Sequence, residues 1–406
     1  MKRVVVTGMG ALTPVGDNWT SIAQALKNNL SGIRAMPEWI EYKNLGSRVA
    51  GQVEFDLPDY YPRKKLRTMG RVSQLAVRAT ELALEDAGLL DDPVLISGRC
   101  GLAYGSTTGS TDAAREYAQM LTDRDLTRVS VSNYIRMMSH TAAVNVGLFF
   151  GLRGRVYPTS CGCTSGSQGI GYAYEAIQSG RQSLMLAGGA EELCPSQVAV
   201  FDTFHSASRK NDTPTLTPSP FDRDRDGLVI GEGAGTLVLE EYQHARDRGA
   251  HIYAEIVGYG TNTDGSHVTL PNADSMQVAM QLALENAGIQ AADIGWINAH
   301  GTATGFGDLA ESQATAAVFG ENTAVTTQKG HTGHTLGACG AIEAVISIQC
   351  LREGWVPPIL NLRNLDPQCA PLDYIQNAPR AVVGDFVISN NFAFGGVNTS
   401  LIFTQV

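Results

Sequence analysis

Leu82-Ala-Leu-Glu-Asp-Ala-Gly-Leu89 returns 200 residues later as Leu282-Ala-Leu-Glu-Asn-Ala-Gly-Ile289, identical at six of eight positions. Each copy reads as the end of an amphipathic helix stopped by a glycine, Gly88 or Gly288, the residue that accepts the left-handed conformation of a helix C-terminus. The segments downstream of the two copies also match. A strand-like run closes in a Gly-rich turn, Gly101-Leu-Ala-Tyr-Gly-Ser-Thr-Thr-Gly109 in the first case and Ile297-Asn-Ala-His-Gly-Thr-Ala-Thr-Gly305 in the second. One match between Ala- and Leu-rich helices arises easily by chance; the shared order of helix, strand and turn argues for two similar α/β halves. They are expected at 1–250 and 251–406.

Short apolar runs, Val4-Val-Val6, Gly101-Leu-Ala103, Leu184-Met-Leu186, Thr236-Leu-Val-Leu239 and Val387-Ile388, alternate with helical patterns, as in buried mixed sheets covered by helices. No low-complexity linker separates the halves, so one shared core is expected.

With 406 residues and 43% hydrophobic content the chain can build a real core, and disorder is excluded. Seven cysteines, an odd number without framework spacing, point to a reducing cytosol rather than a disulfide scaffold. Met1-Lys-Arg-Val-Val-Val-Thr-Gly-Met-Gly10 has only a short apolar run broken by glycines and reads as a first β-strand, not a signal peptide. Nothing approaches the roughly 20 apolar residues of a spanning helix. A net charge of −10 argues against general nucleic-acid affinity.

Three patches could carry chemistry. Cys163 lies in Thr159-Ser-Cys-Gly-Cys-Thr-Ser-Gly166, before a helix-compatible run to Ile177 that starts with small residues. A sulfur near that helix N-terminus would gain at most ~2 kcal/mol from the dipole, enough to bring a thiol from ~8.5 to about 7. The competing reading is an ordinary buried cysteine. His300 ends the apolar run Trp296-Ile-Asn-Ala299, where a lone histidine is otherwise a core residue. His334 closes Lys329-Gly-His-Thr-Gly-His334, with too many small residues nearby for a plain core helix start. Cys161 with Cys163, or His331 with His334, could suggest zinc, but neither pair has a second ligand pair at suitable spacing. Lys329 and Glu343 flank an apolar helix start and are expected to form a buried ion pair holding the histidines.

Near the C-terminus Ser389-Asn-Asn-Phe-Ala-Phe-Gly-Gly-Val-Asn398 follows a strand. Its glycines permit close backbone approach, so an N–H there could complete an oxyanion hole with that of Cys163; a simple hairpin turn is the alternative. Val5-Thr-Gly-Met-Gly-Ala11 is no dinucleotide fingerprint, because the third glycine and the closing acidic residue are missing.

Together these segments resemble the β-ketoacyl-[acyl-carrier-protein] synthase I/II family of thiolase-fold condensing enzymes, from Met1 to about Phe403. Cys163 matches the family's nucleophile; His300-Gly-Thr-Ala-Thr304, Lys329 with Gly333-His334, and Phe394-Gly-Gly-Val-Asn398 match its other hallmarks in order. The resemblance implies a cytoplasmic homodimer of five-layered αβαβα subunits, decarboxylative Claisen condensation of a Cys-bound acyl group with malonyl-acyl carrier protein to give β-ketoacyl-acyl carrier protein in fatty-acid biosynthesis, and no metal or redox cofactor. It implies catalytic roles for Cys163, His300, His334, Lys329 and the Phe394 N–H, with both imidazoles presenting Nε2 as donor. Thr302, Thr304, Phe201 and Phe392 would contact substrate, and Glu311, Glu343 and Asp308 would be structural supports, together with Phe221-Asp-Arg-Asp-Arg-Asp-Gly-Leu-Val-Ile-Gly-Glu-Gly-Ala-Gly235. Acidic carrier protein would dock on Arg63, Lys64, Arg67, Arg124, Arg128, Arg209 and Lys210, residues that as isolated charges read as solvated faces.

The chain departs from the family at three places. Gly105-Ser-Thr-Thr-Gly109 stands where glycines or isoleucine usually flank the acyl pocket, so Thr107 and Thr108 are expected to make that wall more polar and bulkier. Ala393 replaces a glycine of the Phe394 turn and should stiffen it. Leu228 replaces a phenylalanine. These changes favour a dedicated polyene or polyketide pathway, with a chain-length-factor partner as the alternative to a homodimer. A degradative thiolase would need a second cysteine in the C-terminal turn, where Phe394 stands, and a chain-length factor itself lacks the nucleophile.

Overall fold

The computed structural model describes every residue except 128 and 383. The first half contributes β1 (Val4–Leu12), β2 (Cys100–Gly105), β3 (Val156–Thr159), β4 (Leu184–Glu191) and β5 (Gly233–Glu241). The second contributes β6 (Ala254–Thr263), β7 (Ile294–Asn298), β8 (Ala324–Thr326), β9 (Asp373–Tyr374), β10 (Phe386–Phe392) and β11 (Val397–Thr404). Their order across the sheet is β9-β8-β7-β10-β11-β6-β1-β5-β4-β2-β3.

The two halves have one topology. Running from β3 to β1, the pairings are parallel, parallel, antiparallel and antiparallel. Running from β8 to β6 gives the same series, with β9 added outside. The halves join edge to edge where Val4, Val5 and Val6 of β1 pair with Ile256, Glu255 and Ala254 of β6.

The repeated helix is the packing signature of this duplication. Helix α1 (Arg71–Asp86) lies on β1 so closely that a Cβ on Gly8 would sit 2.3 Å from the Ala83 carbonyl oxygen, and one on Gly10 2.3 Å from that of Ala79. Further along the chain come α2 (Ser165–Gln178), α3 (Ala273–Ala287), α4 (Gly305–Phe319) and α5 (Cys339–Glu353). On β6, Gly258 and Gly260 meet Ala283 and Ala279 of α3 in the same way, at 2.4 and 2.1 Å. Even the tether repeats: the Met9 N–H donates to Asp86 Oδ2, and the Tyr259 N–H to Asn286 Oδ1. Gly88 and Gly288 end both helices at φ +65° and +69°.

Strand alternation builds the layers. Met185 and Ala187, Leu237 and Leu239, and Leu401 and Phe403 face a central core containing Ile170 and Ile177 of α2 and Ile342 and Val345 of α5. Their neighbours Leu184, Leu186 and Val238 face the outer core under α1, and Ile388 and Ile402 the one under α3 and α4. Helices α2 and α5 therefore lie between the two halves of the sheet, the expected αβαβα arrangement. Among the described residues no helix is long and apolar enough to cross a membrane.

Candidate active site

The N-termini of α2 and α5 meet where the chain is richest in small residues. A Cβ on Gly166 would lie 2.9 Å from the Gly337 carbonyl, and one on Gly340 2.7 Å from the Ser167 nitrogen, so glycine is required for the two helices to converge. Ahead of α2, Ser and Thr side chains hold the turn: the Ser165 hydroxyl donates to Gly162 O and accepts from the Cys161 N–H, while the Thr164 hydroxyl donates to Cys161 O. Cys163 sits in that turn, 7% exposed.

His334 follows the short helix Lys329–Thr332 and is clamped by its own backbone, with its N–H donating to Val229 O and its C=O accepting from Gly231. Its Nδ1 accepts the Leu336 N–H at 3.2 Å, which puts the ring proton on Nε2, 3.0 Å from Cys163 Sγ. His300 lies beyond the end of β7, its N–H and that of Gly301 donating to Glu311 at 2.6 and 2.7 Å. Lys329 Nζ lies 3.2 Å from His300 Nδ1 and 2.5 Å from Glu343 Oε1. An ammonium only donates, so the His300 proton is also on Nε2. That nitrogen is buried and has no partner among the described residues. Both expected tautomers and the expected buried ion pair are present.

The electrostatics follow from burial. Desolvation, then the Lys329 charge, holds both imidazoles well below the ordinary histidine range, so they are neutral donors at physiological pH. For Lys329, burial alone would lower the ammonium, but Glu343 outweighs it and the net shift is upward. Burial pushes the Glu311 carboxyl up to about 8 against the pull of the Gly301 and His300 amides, and Asp308, accepting from Phe221 and Ala303, up to about 6.

The sulfur corrects one expectation. Burial pushes the Cys163 thiol up to about 12, opposed by Lys329 and by the N–H groups of Cys163 and Phe394. A thiolate at about 7, expected from the helix dipole, is not the resting form, because desolvation of the charge outweighs Lys329 and the two amide N–H groups. The donors around the sulfur act as charge develops, not before.

The Phe394 turn joins β10 to β11 as a hairpin, and its Phe394 N–H faces the Cys163 sulfur together with the N–H of Cys163 itself. Its left-handed positions are Gly395 and Gly396, at φ +85° and +74°; Ala393 has no such strain. Phe394 packs on Phe201 in a tilted pair with centroids 5.2 Å apart, and Phe392 edges His300 at 6.2 Å. A pocket of roughly 240 Å³ opens onto Cys163, His300 and His334 and is lined by Phe201, Phe392, Thr302, Thr304 and Leu228.

Thr107 and Thr108 do not line this pocket within the chain. The Thr107 hydroxyl and N–H both donate to buried Glu191, and Thr108 is exposed. Of the docking residues, Arg63, Lys64, Arg67 and Arg124 are exposed, whereas Arg209 is bound to Asp202 at 2.9 Å and Lys210 lies 3.6 Å from Asp226. Arg128 lies outside the described residues. Cys163 Sγ and one ring nitrogen each of His300 and His334 lie within 4.8 Å of one another, the donor set through which the site could hold a soft cation.

Sequence reasoning missed Asn391, whose Nδ2 donates to Glu343 Oε2 at 2.7 Å and lies 3.4 Å from His300 Nδ1. The signal was there: two asparagines, 390 and 391, inside an apolar strand, both fully buried. It also missed Glu191 and the Leu336 N–H.

A buried thiol with two neutral imidazole donors and two converging backbone amides, on an αβαβα fold, defines an acyl-transferring condensing enzyme. Residues 1–245 match the beta-ketoacyl synthase N-terminal domain and 253–363 its C-terminal domain, and the chain belongs to the beta-ketoacyl synthase family. It is 39% identical over 414 residues to 3-oxoacyl-[acyl-carrier-protein] synthase 2 of Vibrio cholerae, covering all of this chain and 99% of that one. A crystal structure of a beta-ketoacyl synthase from Burkholderia phymatum superposes with a TM-score of 0.99 at 56% identity, covering both chains completely. The ishigamide ketosynthase/chain length factor structure gives 0.91 at 32%, covering 100% of this chain and 99% of that one.

Proposed function

We propose that this chain condenses an acyl group with malonyl-acyl carrier protein to give β-ketoacyl-acyl carrier protein. The reading is carried by one observation: the buried, unpartnered Nε2–H of His300, beside a pocket it shares with His334 Nε2 and Cys163 Sγ. Cys163 attacks the acyl thioester of a carrier pantetheine, and the proton from the thiol leaves on the pantetheine sulfur. Malonyl thioester then places its carbonyl oxygen against the two imidazole donors, which stabilise the enolate left as CO2 departs. One such donor is typically worth about 10²- to 10³-fold. The enolate carbon attacks the Cys163 thioester, whose oxyanion lies in the N–H groups of Cys163 and Phe394; collapse expels the Cys163 thiolate, which takes a proton from solvent. No bound metal or redox group enters these steps, and the partner is acyl carrier protein.

The relatives named 3-oxoacyl-[acyl-carrier-protein] synthase support a role in fatty-acid biosynthesis; the cytoplasm and a homodimer belong to the same reading through the family resemblance alone. A dedicated polyene or polyketide pathway, with a chain-length factor as partner, is the second reading, favoured by the likeness to the ishigamide ketosynthase/chain length factor. Intact mass spectrometry with a panel of acyl-carrier proteins, with and without malonyl-carrier protein, tests both. Acylation of Cys163 followed by a product two carbons longer is expected, and the chain preferred separates the pathways. No acylation by any donor overturns the proposal.

A further inference from the structure

Glu191, the last residue of β4, is fully buried beside the nucleophile and takes no part in the steps above. Its Oε2 accepts three hydrogen bonds from two chain segments: the Thr107 N–H at 2.9 Å, the Thr107 hydroxyl at 2.5 Å and the Gly337 N–H at 3.1 Å. Oε1 accepts from Gln197 Nε2 at 3.0 Å, which fixes the carboxylate plane. Glu192, next in the chain, holds the far end of the same loop through the N–H and hydroxyl of Thr111, both at 2.7 Å.

The Gly337 bond reaches the chemistry. Leu336, one residue earlier, has φ +45°, a conformation that a leucine adopts only when its surroundings hold it there. Its N–H is the donor to His334 Nδ1 that leaves the Nε2 proton facing Cys163. Without the Gly337 anchor the backbone is free to relax toward negative φ at Leu336, and the adjoining Thr335–Leu336 peptide, which carries the donor N–H, is no longer held against the ring. We propose that Glu191 is a positioning residue that sets the His334 imidazole through the backbone of Leu336 and Gly337 and ties that setting to the loop at Thr107. The inference deepens the condensing-enzyme reading and rests on it for its consequence in turnover, not for its structural content.

The loop is thereby an input. Any ligand or partner chain that shifts Thr107 withdraws two of the three donors on Oε2 and loosens the same carboxylate that anchors Gly337. His334 readiness then depends on the loop being seated.

The test is 15N NMR of histidine-labelled protein, read with steady-state kinetics, on wild type, Glu191→Gln, Glu191→Leu and Thr107→Val. Wild type should show His334 Nδ1 as an unprotonated, hydrogen-bonded acceptor. Glu191→Gln keeps an acceptor oxygen and should keep that signature and most of the turnover. Glu191→Leu should give mixed His334 tautomers and a fall of about 10²-fold in kcat with little change in KM, the cost of a misplaced catalytic group. Thr107→Val should fall between. A folded Glu191→Leu with wild-type His334 shifts overturns the proposal, as does lost turnover with the tautomer intact. Should Glu191→Leu not fold, Thr107→Val with unaltered tautomer and rate overturns it equally. If wild type shows no acylation, the function reading fails while the NMR result still decides the role of Glu191.

Discussion

Lys329 Nζ sits between two acceptors, His300 Nδ1 at 3.2 Å and Glu343 Oε1 at 2.5 Å, with the whole side chain 1% exposed. One cation therefore does two things: it fixes the His300 tautomer and it compensates a carboxylate that would otherwise be buried alone. These roles separate by mutation. Lys329→Met should destabilise the fold by about 3–5 kcal/mol, the cost of an unpaired buried charge, and the melting temperature reads it. Adding Glu343→Gln should return most of that stability, yet His300 Nδ1 still lacks the Lys329 donor and keeps only Asn391 Nδ2, at 3.4 Å, so malonyl decarboxylation should stay down by about 10²-fold. A double variant that decarboxylates at the wild-type rate would refute the tautomer role.

Cys163 offers a test in pH. Its thiol is pushed up to about 12 by burial, so through the neutral and mildly alkaline range the thiolate is a small fraction that grows tenfold per unit. Iodoacetamide alkylation of Cys163, followed by peptide mass, should rise log-linearly from pH 7 to about 10 without a plateau. A plateau near 7 would restore the helix-dipole expectation.

How much of this was legible depends on the reach of each interaction. The 82–89 and 282–289 repeat was readable because a helix packed on a strand of close-approach glycines has little freedom in sequence. Cys163, His300, Lys329 and His334 announced themselves as reactive side chains among Gly, Ser and Thr. The pKa of Cys163 was not readable, since it depends on desolvation by residues far apart in the chain. Thr107 was assigned to the acyl-pocket wall, whereas within the chain it binds Glu191, because that partner lies 84 positions away and only the fold brings β2 beside β4. Asn391 was overlooked for the opposite reason: its strand pattern drew attention to the apolar residues around it.

The duplication itself can be tested with matched substitutions. Gly10→Ala and Gly260→Ala would each thrust a methyl to within 2.3 and 2.1 Å of a helix carbonyl, Ala79 and Ala279. The obstructing atoms are backbone, so strand and helix must separate, at about 1–3 kcal/mol or more. Gly147 in the helix Thr141–Phe150 has open space at its Cβ position. Gly147→Ala should therefore hold or raise the melting temperature while the other two lower it by similar amounts; a tolerated alanine at either position would contradict the packing.

Carrier docking is the remaining electrostatic question. Lys64 and Arg67 project from the exposed turn at Arg63–Leu66, whereas neighbouring Lys65 is turned onto the Phe149 carbonyl and ring. On a chain of net charge −10, an acidic partner needs such a local positive surface to be steered toward the pocket. Lys64→Glu with Arg67→Glu should raise KM for carrier-bound acyl and malonyl groups, more strongly at low salt, because steering by exposed charges is screened within about 10 Å at 0.1 M. Short pantetheine thioesters carry no acidic surface and should be processed unchanged. Equal loss with both substrates would place the effect in the fold around Tyr61, whose hydroxyl donates to buried Glu81 close by, and not in docking.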